Sequence, residues 1–318
     1  MKIYSIFLIA LVSLVMSSCH CTQKIQNGVD KLVHTLPIDG VDRSFIVDLP
    51  SDYDCSIDYA VVVAFHGTGQ LNEKAWQDWG WKEKGEDEDF IVVYPQAMEY
   101  TFGTNQRVKT KWDDGQLSDP SNPQNLDPST QMIHDDLAFV NAMNAFMKLS
   151  YSTDVDKFYS TGFSNGGGFV WRLAMEASDL FSGFAPHAGL LHVSNTSTTT
   201  QQPIYLSGGA AEPALVALNG GNDLPMNATD ILPIVQAFLI DPSLAEMEIQ
   251  DIPSTVVENN DSVVILWDQP INSSDDHFFK MIFWADTEHV YPSKFNSFRN
   301  PNLHHLADVY WDFFESLQ

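Results

Sequence analysis

Thr161-Gly162-Phe163-Ser164-Asn165-Gly166-Gly167-Gly168 is the stretch that decides how this chain folds. It has the pattern G-x-S-x-G with two further glycines behind it. Upstream, Lys157-Phe158-Tyr159-Ser160 is short and aromatic, the composition of a buried strand. Downstream, Val170, Leu173, Ala174 and Ala177 recur at the spacing of one helix face. Strand, sharp turn and helix together are the setting of a nucleophile elbow, which holds a serine on a strained turn at the tip of a sheet. Glycines on both sides of the serine let strand and helix approach closely. Taken alone, the pattern also fits a Gly-rich turn with a surface serine; its flanks are what point to the elbow.

The chain has 318 residues, of which 44% are hydrophobic and 12% aromatic, including eight tryptophans. That is enough apolar material for one large core, and it excludes a disordered chain. Acidic residues outnumber basic ones by 42 to 16, a formal net charge of −26. Such a surface repels nucleic acid and anionic lipid, so neither is expected as a partner.

Residues 1–18 read as a signal peptide: Lys2, then the apolar run Ile6–Val15, then Ser17-Ser18-Cys19 as a small-residue cleavage region. The run is too short to span a bilayer. The expected location is secreted or periplasmic. Membrane association is expected only if Cys19 is lipidated, and Met16 departs from the usual aliphatic residue of a lipoprotein signal. The three cysteines are Cys19, Cys21 and Cys55. They lack metal-site spacing, and a Cys21–Cys55 disulfide is open to them in an oxidising compartment. N-glycosylation sequons start at Asn195, Asn227, Asn260 and Asn272. Asp113-Asp114 and Asp275-Asp276 read as solvated loops rather than calcium ligands. No metal or cofactor is expected.

Taken in order, Ser44–Leu49 is expected as the first strand, followed by Tyr59–Phe65, an apolar β-branched run suited to a strand buried on both faces. It ends in His66-Gly67-Thr68-Gly69-Gln70. Phe90–Pro95 is a second run of this kind. Residues 98–134 are polar and proline-rich and read as a long loop carrying Trp112. A helix is expected from Asp135-Asp136, with Phe139, Met143, Phe146 and Met147 on its buried face. Strands follow the elbow at Phe184–Pro186, Pro203–Ser207 and Phe279–Trp284, and a helix with an apolar face from Leu306 to Leu317 closes the chain. Strands alternating with helices predict a mostly parallel sheet with helices on both faces, in one domain spanning residues 22–318. In such sheets sites form at the carboxyl ends of strands, and Ser164, the His66–Thr68 loop, Glu212 and His289 all follow expected strand ends.

A serine hydroxyl needs a neighbouring base to become a nucleophile. In the elbow arrangement the partners follow in the order serine, carboxylate, histidine. His187, His192, His277, His289, His304 and His305 lie after Ser164. His289 is the best placed, a few residues beyond a strong strand and in a loop closed by Pro292, whereas His304 and His305 adjoin the last helix. Two carboxylates qualify as the acid. Glu212 follows the strand Pro203–Ser207, and Asp223 follows Ala214–Leu218, which also reads as a short strand. Donors for a developing oxyanion are expected from the backbone N–H groups of Asn165 and Thr68.

With VVVAFHGTGQ, FIVVYPQA, the Trp112 segment, DDLAFV, VDKFYSTGFSNGG, FSGFAPHAG and EHVYP before WDFF in one order over roughly residues 40–316, the chain resembles the polyhydroxybutyrate depolymerase and feruloyl esterase family of secreted α/β-hydrolases. The resemblance implies an α/β-hydrolase fold and a serine carboxylesterase. It would act through an acyl-enzyme on hydroxyalkanoate oligomers or on feruloyl or acetyl esters of polysaccharide. It assigns Ser164 as nucleophile, His289 as base, and Thr68 and Asn165 as oxyanion donors. Gly209–Pro213 matches the family's acid-bearing segment, which favours Glu212 and leaves Asp223 as the alternative. The chain departs from the family in carrying Thr68 where many members have Cys, Glu where Asp is usual, and a long insert at about 213–277. Two other readings compete: a serine peptidase of the same fold, and a catalytically silent binding protein on a hydrolase scaffold.

Overall fold

The computed structural model of this chain describes residues 31–103, 106–117, 126, 131–189, 192, 202–227, 229–231, 255–258, 262–267, 279–285, 287–295, 299–301 and 303–318. The signal segment 1–18, Cys19, Cys21, His277, the Asn195, Asn260 and Asn272 sequons, Asp275-Asp276 and much of the 213–277 insert lie outside the described residues.

In chain order the elements are β1 (Lys31–Ile38), β2 (Val41–Asp48), β3 (Tyr59–Phe65), α1 (Asn72–Asp78), α2 (Trp81–Asp87), β4 (Ile91–Pro95), β5 (Glu99–Phe102), β6 (Arg107–Thr110), α3 (Asp136–Ser150), β7 (Thr153–Phe163), α4 (Asn165–Glu176), β8 (Gly183–His187), β9 (Ile204–Gly209), α5 (Pro213–Leu218), β10 (Thr255–Glu258), β11 (Ser262–Trp267), β12 (Phe279–Trp284) and α6 (Leu306–Glu315). Ten of the described strands form one sheet in the order β1-β2-β4-β3-β7-β8-β9-β12-β11-β10. Its centre, from β4 to β12, is parallel. Antiparallel pairs flank it on both sides.

The apolar run of β3 explains its central place. Successive side chains of a strand point to opposite faces, so Val61, Val63 and Phe65 pack with α3 and α4 on one side. Val62 and Ala64 pack with α1, α2 and α6 on the other. A strand clothed on both faces has no polar side to show, hence the unbroken hydrophobic sequence. Helix α3 starts where its acids are: the Asp135 carboxylate accepts from the Ala138 N–H at 2.9 Å and caps the first turn. Asp136 instead turns inward to a fully buried ion pair with Arg43 at 2.6 Å. Burial raises its carboxyl above the ordinary value despite that partner.

Three sequence expectations are corrected. Among the described residues the first strand is β1, which pairs antiparallel with β2; it is half-exposed and carries Pro37, so it lacks the buried-strand signature. The 98–134 segment is not all loop, since β5 and β6 form a two-stranded hairpin inside it. Residues 214–218, read as a short strand, belong to α5, which Pro213 opens at its first turn.

Candidate active site

Ser164 stands between β7 and α4 with φ 55° and ψ −119°. A positive φ is costly for a residue with a Cβ, about 1–3 kcal/mol, and persists only where the surroundings enforce it. Here the Ser164 N–H donates to His187 O at 2.9 Å, and Ser164 O accepts from the Gly168 N–H at 2.9 Å. The approach of α4 to β3 is closer still. A Cβ on Gly166 would lie 2.0 Å from Phe65 O, and one on Gly162 would lie 2.4 Å from Gly166 O. Only glycine fits either place, which is the physical content of the elbow motif.

The carboxyl ends of three other strands supply what surrounds the serine. His289, in the loop after β12, brings Nε2 to 2.9 Å from Ser164 Oγ. Its Nδ1 lies 2.5 Å from Glu212 Oε1. Glu212 follows β9 and is buried, while the imidazole is about one-third exposed. A carboxylate can only accept, so Nδ1 carries the ring proton and Nε2 presents its lone pair to the serine hydroxyl. The imidazole rests against Phe163, with centroids 4.8 Å apart. Two residues on, Tyr291 stacks on Trp79 at 4.0 Å and accepts from Trp81 Nε1 at 2.6 Å, which pins the loop to α1 and α2. Asp223 makes no contact with His289. It lines an exposed groove of about 590 Å³ with Ala211, Pro213, Val216, Ala217 and Glu288. The segment before it is helical, so no strand delivers it to the sheet's carboxyl edge.

The loop after β3 runs beside Ser164: a Cβ on Gly67 would sit 3.4 Å from Ser164 Cβ. His66 sets the orientation of this loop. The Ala97 N–H donates to its Nε2 at 3.1 Å, so its proton is on Nδ1, which donates to Gly67 O at 3.0 Å. Burial holds this ring neutral, with its pKa pushed down to about 4. In a trans peptide C=O and N–H point in opposite directions. Fixing the Gly67 carbonyl therefore aims the Thr68 N–H the other way. Among the described residues nothing accepts from the N–H of Thr68 or of Asn165.

Trp112 braces the two halves of this arrangement. Its indole Nε1 donates to His66 O at 2.9 Å. Its backbone is gripped by Asn165, whose Oδ1 accepts from the Trp112 N–H at 2.8 Å and whose Nδ2 donates to Trp112 O at 3.0 Å. Asn165 Nδ2 also donates to Asp114 Oδ2 at 2.8 Å. The indole stacks on Phe169 of α4 at 5.2 Å, and Arg172, further along α4, pairs with Asp113 at 2.9 Å. Asp113 and Asp114 are thus braces, and Asp114 is buried, which corrects the expectation of a solvated loop. The sequence signal for this role of Trp112 is a lone tryptophan in a polar segment.

His304 and His305 lie at the start of α6. His305 Nδ1 pairs with Asp308 at 2.5 Å, and His304 stacks on Trp284 at 5.3 Å. Neither contacts Ser164.

Among solved structures, the chain is similar to an acetyl xylan esterase from Aspergillus awamori, with a TM-score of 0.56 at 14% identity over 89% of this chain and 99% of that one. The chain has the α/β-hydrolase fold. An S-formylglutathione hydrolase from Agrobacterium tumefaciens is similar to this chain with a TM-score of 0.50 at 11% identity, over 91% of this chain and 95% of that one. No family model matches the sequence, and no curated protein does. Within the α/β-hydrolase framework, Ser164 occupies the turn after a central strand, and Glu212 and His289 follow later strands in the expected chain order.

Proposed function

We propose that this chain is a serine-dependent carboxylic ester hydrolase, in which Ser164 is the nucleophile, His289 the base and Glu212 the acid that orients it. The observation that carries this reading is His289 suspended between Ser164 Oγ at 2.9 Å and Glu212 Oε1 at 2.5 Å. The esterase activities named for its structural neighbours support it. In the first half-reaction His289 Nε2 takes the Ser164 proton as Oγ attacks the ester carbonyl. The N–H groups of Thr68 and Asn165 stabilise the oxyanion, a contribution of about 3–4 kcal/mol per donor. The tetrahedral intermediate collapses, its C–O bond breaks, and the leaving alcohol receives the proton from His289. Water, deprotonated by the same imidazole, then releases the acid from the acyl-serine.

The substrates proposed are esters with a neutral alcohol part: acetyl or feruloyl groups on polysaccharide, or hydroxyalkanoate oligomers. A net charge of −26 disfavours polyanionic substrates. Export to an oxidising compartment is part of the proposal. Cys55 is disulfide-bonded, and the remaining cysteines of the chain are Cys19 and Cys21. A fluorophosphonate probe should label wild type and spare Ser164→Ala. Rates on p-nitrophenyl acetate and butyrate, methyl ferulate, acetylated xylan and hydroxybutyrate oligomers then rank the esters. Absence of labelling together with absence of turnover on all of them would sink the enzyme reading in favour of a silent scaffold.

A further inference from the structure

His187 ends β8, next to the strand that carries Ser164, and is completely buried. Its backbone carbonyl accepts the Ser164 N–H at 2.9 Å. Its ring reaches two other segments. Nε2 lies 2.8 Å from Val290 O, the carbonyl of the residue after His289. Nδ1 lies 2.7 Å from Ser207 Oγ, on the strand that leads to Glu212. Val290 O can only accept, so the ring proton is on Nε2, and Nδ1 accepts from the Ser207 hydroxyl. Tyr310 Oη, with one proton for two acceptors, lies 2.5 Å from Ser207 Oγ and 2.9 Å from Pro186 O. Every polar atom of the ring is thus satisfied, and the ring lies against Phe163 with centroids 5.8 Å apart.

We infer that His187 is a positioning residue that sets the spacing of the nucleophile, the base and the acid, because it is hydrogen-bonded to the segments that bear all three. The fold leaves these three residues on separate loops at the ends of different strands; the acid and base loops meet directly, with the Ala211 N–H donating to Thr287 O at 3.0 Å, and His187 adds a tie that includes the elbow. A buried neutral imidazole suits the task. It has one donor and one acceptor in rigid, opposed positions, and burial keeps it from acquiring a second proton. A displacement of about 1 Å at a catalytic group costs on the order of a hundredfold in rate, so a tie of this kind is read in turnover rather than in binding.

The inference rests on the triad proposed above, and the experiment separates the two. Wild type, His187→Phe, His187→Gln and Ser207→Ala are compared on p-nitrophenyl acetate, with circular dichroism for fold and fluorophosphonate labelling of wild type as the control. His187→Phe keeps an aromatic ring against Phe163 but loses both hydrogen bonds. Its kcat should fall by about a hundredfold with KM nearly unchanged. His187→Gln keeps a donor for Val290 O and an acceptor for Ser207, and should recover most of the loss. Ser207→Ala, which removes only the hydroxyl on Nδ1, should lose kcat by a smaller factor and serves if the phenylalanine variant does not fold. A folded His187→Phe with wild-type kcat, a glutamine variant no better than phenylalanine, or a folded Ser207→Ala with unchanged kcat would each overturn the inference. If wild type itself is not labelled, it is the triad that fails.

Discussion

Asn165 holds the backbone of Trp112 at both ends of one residue, accepting from its N–H at 2.8 Å and donating to its C=O at 3.0 Å. The side-chain amide does here what a neighbouring strand does elsewhere. The residue that follows Ser164 is thereby locked to a segment that also holds the His66 carbonyl. Asn165→Asp keeps the shape but sets a carboxylate oxygen against Trp112 O and Asp114 Oδ2. It should lower stability by about 3 kcal/mol or more, from lost donors and like-charge repulsion. Thermal melting and kcat should both fall. The double variant Asn165→Asp/Asp114→Asn restores a donor and should recover part of each. If the single variant melts and turns over as wild type does, the brace has no energetic weight.

Ser164→Ala should remove ester hydrolysis by about four orders of magnitude or more, leaving only what the backbone donors and binding supply. The fold should survive, because the hydroxyl is hydrogen-bonded to His289 and adds little to packing. Turnover of p-nitrophenyl acetate by purified protein decides it, and near wild-type kcat in this variant would rule out the mechanism.

Glu212→Gln should lower kcat by about 10⁴, since an amide no longer stabilises the imidazolium and favours the wrong ring tautomer. Asp223→Asn should stay within a few-fold of wild type, its carboxylate lining a groove rather than touching His289. Both are measured on one soluble ester. Collapse of the Asp223 variant with a healthy Glu212 variant would reverse the assignment.

Stability should fall on acidification. Burial depresses the pKa of His66 to about 4 and of His187 to about 3, against an ordinary 6.5. Below 6.5 the unfolded chain binds these protons and the folded one does not. Stability is therefore full above 6.5 and declines as pH falls, by up to ~1.4 kcal/mol per pH unit for each group. The loss levels off near 4 for His66 and near 3 for His187. Protonation of the many surface carboxylates relieves repulsion and acts in the other direction. The urea midpoint of wild type is therefore compared with that of His187→Gln across pH 3–7. The variant should lose less between 6.5 and 3, and parallel curves would show that His187 is not buried and neutral.

What the sequence disclosed follows from which residues leave a one-dimensional trace. Tyr59–Phe65 and Phe279–Trp284 coincide with β3 and β12 because strands in the buried parallel centre are apolar at nearly every position. The sequence marks the elbow strand only from Lys157 to Ser160, whereas β7 runs Thr153–Phe163. Its first half is polar and partly exposed, and its last residues carry the turn glycine. Helices α1 and α2 escaped notice, each burying only one or two residues of a polar sequence. Ser164, His289 and Glu212 could be nominated from chain order and strand ends. For the acid, the resemblance already favours Glu212 over Asp223, and the fold adds that Glu212 lies 2.5 Å from His289 while the element before Asp223 is a helix. His187 and Trp112 were hidden for another reason: His187 Nε2 and the Trp112 indole each meet a main-chain carbonyl, a group that every residue possesses.

The contact between Gly166 and the Phe65 carbonyl also bears on how this scaffold can be re-engineered. With less than the width of a methyl group between helix and strand, the elbow admits no graded adjustment. Selection for new esters has no foothold there. Thr68 is the opposite case. It would serve catalysis through its main chain while its side chain faces solvent, so a library diversified at that position changes what the entering ester meets without moving the machinery that cleaves it.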